Sequence, residues 1–128
     1  MKVFLDANIL FSAADPESAT RKLLLKVLEA GEAVTSFHAV EEARRNLECK
    51  RPASLPGFAD VMKLVRITLA FSAVRVEGVP EHDMPIIAAA VGERCTHLWT
   101  SDKRHFGRLY GTAVNGVLIV SGVMLLNA

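Results

Sequence analysis

Four acidic residues follow apolar runs or open helical stretches in this chain: Asp6 after Val3-Phe4-Leu5, Glu42 six residues after Ser36, Asp83 ahead of Met84-Pro85, and Asp102 after His97-Leu98-Trp99-Thr100. Carboxylates gathered at one place repel one another and require a counter-charge. Hard oxygen ligands suit Mg²⁺ or Mn²⁺, which keep several waters and bind through a few carboxylates plus substrate phosphate. Such ions activate water and stabilise the leaving oxygen of a phosphodiester, so the chemistry implied is that of a metal-dependent nuclease.

Each acid also has a plainer role open to it. Asp83 before Met84-Pro85 has the composition of a helix N-cap, a role worth about 1 kcal/mol. Asp102 can cap a short helix over 103–109, and Asn8 can cap or brace the turn after the first strand. On the helical wheel Val40, Ala43 and Leu47 mark the apolar face, Glu41 borders it and Glu42 points away. The wheel therefore leaves Glu41 against Glu42 undecided, and both can be a solvated face. Asp6 is different, because a carboxylate directly after a buried strand is costly unless paired or metal-bound.

The elements that must position these acids follow from periodicity. Short apolar runs predict strands at 3–5, 33–35, 73–76, 96–100 and 117–120, and helical spacing predicts helices at 19–30, 37–49, 58–71, 83–93 and 103–109. Strands alternating with helices specify a single α/β domain with a central parallel sheet. In such sheets the working site lies beyond the carboxyl ends of the strands, where this pattern puts all four acids.

The 128 residues suffice for one domain, and 51% apolar with 23% charged composition reads as globular. A mean hydropathy of +0.28 predicts apolar surface covered by a partner or a second copy, hence a homodimer. A net charge of +1 excludes a protein that coats nucleic acid through overall basicity, so any such contact must be local. Two basic groups are available: Arg44, Arg45, Lys50 and Arg51, and Lys103, Arg104 and Arg108. They can seat a phosphate backbone or be solvated helix faces, with Arg44 and Arg45 paired to Glu41 or Glu48. Cys49 and Cys95 form no C-x-x-C and read as buried thiols of a reducing cytoplasm. Asp6 interrupts the apolar start, and glycines and polar residues break the uncharged 111–128 stretch, so neither a signal peptide nor a membrane anchor is expected.

The stretches Leu5-Asp6-Ala7-Asn8, Thr35-Ser36 with Glu42, Asp83-Met84-Pro85-Ile86-Ile87-Ala88-Ala89-Ala90 and Thr100-Ser101-Asp102-Lys103-Arg104-His105-Phe106-Gly107 together resemble the PIN-domain nucleases, especially VapC-type toxins of toxin–antitoxin pairs. The resemblance covers essentially the whole chain, 1–128. It implies a Rossmann-like α/β/α sandwich, with Asp6, Glu42, Asp83 and Asp102 binding Mg²⁺ or Mn²⁺ to cut RNA. It selects Glu42 over Glu41, and it offers Asn8 with Ser36 or Thr100 as polar support. Arg44, Arg45, Lys103 and Arg104 become candidates for substrate contact, and a cognate antitoxin the expected partner in the cytoplasm. One departure stands out: many relatives carry a further acid just before the phenylalanine, where this chain has His105. The alternatives are a housekeeping PIN nuclease in RNA processing and a non-catalytic α/β metal-binding regulatory module.

Overall fold

The computed structural model describes residues 1–127. Strand β1 (Lys2–Leu5) leads into helix α1 (Ala7–Ala13), and α2 (Ala19–Ala30) follows before strand β2 (Glu32–Thr35). Helix α3 (Phe37–Lys50) and helix α4 (Leu55–Leu64) connect to the two-residue strand β3 (Arg66–Ile67). An irregular segment and a 3-10 turn then reach α5 (Met84–Gly92), strand β4 (His97–Trp99) and the short α6 (Lys103–Phe106). Strands β5 (Ala113–Val114) and β6 (Val117–Val120) and helix α7 (Gly122–Leu126) complete the chain.

The six strands form one sheet in the order β3-β2-β1-β4-β6-β5. All neighbours are parallel except β5, which pairs antiparallel with β6, so the expected parallel sheet is mixed at one edge. The antiparallel edge comes from Asn115-Gly116, both at positive φ (48° and 88°), the backbone that a tight hairpin needs. Val3, Phe4, Leu5, Leu98 and Ile119 on the central strands are fully buried, as both faces of a parallel sheet require. From β1 the chain winds toward β2 and β3 on one side and β4 and β6 on the other, so the direction reverses between β1 and β4.

Helix α1 packs against α2, α3 and α4, burying Ala7, Ile9, Leu10 and Ala13. At seven residues it spans fewer than two turns, too few for a helical period to show in the sequence. Two further expectations change. The helix over 58–71 runs instead over Leu55–Leu64, and the strand at 73–76 is irregular chain outside the sheet. Val74 and Val76 of that segment pack against the core, and Ser72 N–H donates to Ala88 O of α5 at 3.0 Å. The approach is close enough that a Cβ on Gly92 would stand 2.6 Å from Phe71 N. Cys49 is exposed, contrary to expectation, while Cys95 is buried. No helix among the described residues is long and apolar enough to cross a membrane.

Candidate active site

Strand β1 ends at Leu5 because Asp6 leaves the sheet to cap α1, its Oδ1 accepting from Ala7 N–H at 2.7 Å. Leu5 pairs with Trp99 of β4, so the residues that follow them, Asp6 and Thr100, meet at the reversal point of the sheet. Thr100 Oγ1 donates to Asp6 Oδ2 at 2.8 Å, and Asn8 Nδ2 donates to the same oxygen at 3.2 Å. Asn8 Oδ1 accepts from Ser101 N–H at 2.9 Å, and Thr100 Oγ1 accepts from Asp102 N–H at 3.1 Å. Asn8 and Thr100 thus tie the end of β1 to the loop after β4. Tyr110, which the sequence reading left without a role, donates its hydroxyl to Thr100 O at 2.9 Å and closes the same corner.

Asp6 is 5% exposed, and burial pushes its carboxyl up to about 6 despite the Thr100 and Ala7 hydrogen bonds, with the charges of Glu42 and Asp83 adding to the rise. Asp6, Glu42 and Asp83 therefore share one electrostatic neighbourhood. Burial, followed by the charges of Asp102 and Asp6, likewise raises the Tyr110 phenol.

Glu42 comes from α3, whose buried stripe is Ala39, Ala43 and Leu47. It is partly buried beside that stripe. Glu41 is exposed and bonds to Arg44, which also reaches Glu48 at 2.9 Å. Arg44 thus takes the paired helix-face role. Arg45, Lys103 and Arg104 are exposed, and no ion pair to them occurs among the described residues. Ser36 caps α3 by accepting from Ala39 N–H and makes no hydrogen bond to the acids.

Asp83 stands at the start of α5 but makes no side-chain cap, because the residue lies in helical backbone (φ −96°, ψ −9°). The plain capping role is thereby removed. Asp102 does cap, its Oδ1 accepting from His105 N–H at 3.1 Å, which leaves Oδ2 free. His105 Nδ1 lies 2.8 Å from Asp83 Oδ2 and 3.0 Å from Asp102 Oδ2, and His82 Nε2 lies 3.5 Å from Asp83 Oδ2. Among the described residues, His82, Asp83 and His105 form the compact potential ligand set, their donor atoms within 4.8 Å of one another; the four acids do not form one that tight. His82 carries no periodic signal; its adjacency to Asp83 was the only sequence cue.

The donor chemistry fits a divalent cation. A buried carboxylate held by two side-chain donors, with further acids raising its pKa, lacks a positive partner that a cation would supply.

The sequence matches no protein-family model and no curated protein. Solved structures do match. The VapBC2 complex from Rickettsia felis, bound to a DNA fragment from its promoter, aligns at TM-score 0.68 and 15% identity, over 94% of this chain and 98% of the other. The Mycobacterium tuberculosis VapC20 toxin, which cleaves the sarcin–ricin loop, aligns at TM-score 0.56 and 17% identity, over 83% and 94%. VapBC-1 from nontypeable Haemophilus influenzae aligns at TM-score 0.59 and 13% identity, over 96% and 99%. At these identities the likeness is one of fold: the chain has the α/β fold of VapC toxins, as the sequence motifs implied.

Proposed function

We propose that this chain is a divalent-metal-dependent endoribonuclease and the toxin of a toxin–antitoxin pair. The observation that carries the reading is the buried Asp6, raised to about 6 and held by Thr100 and Asn8 at the point where the sheet changes direction. A carboxylate kept there in a fold shared with VapC toxins makes sense as a cation ligand.

In this reading Asp6, Glu42, Asp83 and Asp102 hold Mg²⁺ or Mn²⁺. When bound, such ions supply the Lewis acidity that activates water and neutralises charge on a scissile phosphodiester. The chain's own groups do the rest. Thr100 and Asn8 fix the rotamer of Asp6, Tyr110 anchors the strand end that carries Thr100, and the buried face of α1 fixes the helix that Asp6 caps. Arg45, Lys103 and Arg104, exposed near these elements, would attract the RNA backbone and orient it. A separate apolar groove of about 350 Å³, lined by Ile9, Leu23, Trp99, Val123 and Leu126, supports the antitoxin as a protein partner.

The test is incubation of the purified protein with total RNA, with and without Mg²⁺ or Mn²⁺, beside Asp6→Asn and Asp83→Asn. Cleavage that needs the ion and both acids supports the reading. Cleavage surviving EDTA, or equal in the variants, overturns it. For the toxin role, expression should arrest growth and co-expression of a small adjacent gene should relieve it. A housekeeping nuclease would give cleavage without that relief.

A further inference from the structure

The contact between His105 and its two carboxylates has an unusual geometry. An imidazole nitrogen 2.8 Å from a carboxylate oxygen is ordinarily hydrogen-bonded. Here the angles miss a hydrogen bond, and Asp83 Oδ2 and His105 Nδ1 are both shut off from solvent with no hydrogen-bond partner. A buried polar atom left so costs roughly 1–3 kcal/mol, and two of them side by side call for a common partner.

The separations identify what that partner is. Two ligand atoms each about 2.1 Å from one ion stand about 3.0 Å apart on an octahedral edge and about 3.4 Å apart on a tetrahedral edge. The distances from His105 Nδ1 to Asp83 Oδ2 and Asp102 Oδ2 and from His82 Nε2 to Asp83 Oδ2 are 2.8, 3.0 and 3.5 Å. The two within the His82–Asp83–His105 set, 2.8 and 3.5 Å, have the lengths of edges about one ion, and the 3.0 Å contact braces His105 from Asp102. The two rings meet edge-on, 78° between planes with centroids 5.3 Å apart, so both turn a nitrogen toward Asp83 without stacking. His82 is exposed, which leaves the mouth of the cluster open to an entering ion.

We propose that His82, Asp83 and His105, with Asp102 bracing His105 at their edge, form a mixed imidazole–carboxylate site for a first-row transition cation such as Mn²⁺, Co²⁺, Ni²⁺ or Zn²⁺, in preference to Mg²⁺. Two imidazoles are poor ligands for Mg²⁺ and good ones for these ions. The proposal rests on the reading that the acids around Asp6 hold a divalent cation, and it names which ion they and the two histidines select.

The experiment titrates Co²⁺ into the metal-free protein, following visible absorption and calorimetry, with Mg²⁺ as competitor. The expected result is Co²⁺ binding with nitrogen-ligand absorption bands that a hundredfold excess of Mg²⁺ does not displace. His82→Ala, at an exposed position that tolerates truncation, and His105→Gln should each weaken Co²⁺ by at least tenfold and change the spectrum, with circular dichroism unchanged. Wild-type Co²⁺ affinity in His82→Ala, or displacement by equimolar Mg²⁺, overturns the proposal. RNA cleavage in Mg²⁺ and, separately, in Mn²⁺ measured on the same samples separates the two readings. Cleavage that needs Asp6 while Co²⁺ binding ignores both histidines leaves the nuclease and removes this site. Histidine-dependent Co²⁺ binding without RNA cleavage keeps this site and removes the nuclease.

Discussion

Replacing Asp6 with Asn should make the metal-free protein more stable at alkaline pH and lose that advantage in acid. Asp6 has a folded-state pKa of about 6 against an ordinary 3.8, so the folded state binds this proton more tightly than the unfolded chain does. Such a group costs nothing below pH 4, and its penalty grows as pH rises through 6. About two pK units correspond to about 3 kcal/mol of destabilisation above pH 7. Asn removes the charge and still accepts from Ala7 N–H, but its amide now faces the donors Asn8 Nδ2 and Thr100 Oγ1, at a cost of about 1–2 kcal/mol. The net gain at pH 8 is about 1–2 kcal/mol, and at pH 4 the variant is the less stable by about 1 kcal/mol. Urea unfolding in EDTA, followed by fluorescence of the buried Trp99, reads this as a midpoint shift of roughly 0.5–1 M that reverses sign between the two pH values. A pH-independent difference, or a wild type that is more stable at pH 8, would refute the claim that Asp6 is held unpaired. Mn²⁺ at saturating concentration should stabilise the wild type by about 2–3 kcal/mol and the variant far less.

Thr100→Val removes a hydroxyl that donates to Asp6 and accepts from Asn8 and Asp102, so it should cost about 2 kcal/mol in urea unfolding and lower RNA cleavage by at least about tenfold. Glu93, bonded to Arg66, Thr68 and Lys2, is held at about 2, below its ordinary 4.5. It therefore stabilises the fold above pH 4.5, and that contribution fades as pH falls toward 2; Glu93→Gln should flatten the acid limb of a stability-against-pH curve. Arg45→Ala and Arg104→Ala should weaken RNA binding and each reduce the salt slope by about 0.7, while Arg44→Ala, whose charge is already shared by Glu41 and Glu48, should change both much less.

What was legible in the sequence was what packing enforces over several residues. The apolar runs at β1, β2, β4 and β6, the 3.6-residue stripes of α2 and α3, and the wholly apolar Ile86–Ala90 of α5 all lie where periodicity puts them. Asp6 was readable for a different reason: no inexpensive role exists for a carboxylate directly after a buried strand, and the structure gives it burial with a raised pKa. Short elements escaped because their signals are tertiary. Strand β3 is two residues stabilised by pairing Val34 with Arg66 and Thr35 with Ile67, and the Val74–Val76 run that imitates a strand packs on the core without a ladder partner. The Asn115-Gly116 pair was a usable hairpin signal for β5. At the site, the wheel drawn on Val40, Ala43 and Leu47 could not separate Glu41 from Glu42, whereas the stripe actually buried is Ala39, Ala43 and Leu47, which leaves Glu42 partly buried and Glu41 exposed. The pairing of Glu41 with Arg44 separates them, and it depends on rotamers that no pattern records. His82 offered only its adjacency to Asp83, and Tyr110 offered no cue, because both sit in short turns without a period and meet the site through tertiary contacts.

If the proposed function holds, RNA cleavage depends on this acid cluster and not merely on the fold. Single-turnover cleavage of an end-labelled RNA in Mn²⁺ tests it most directly, comparing wild type, Asp6→Asn, Glu42→Gln and Glu41→Gln, each verified as folded. Asp6→Asn and Glu42→Gln should each lose at least about 100-fold, about 3 kcal/mol in barrier, with Glu41→Gln within about twofold of wild type. Equal rates for Glu41→Gln and Glu42→Gln together with an active Asp6→Asn would contradict it.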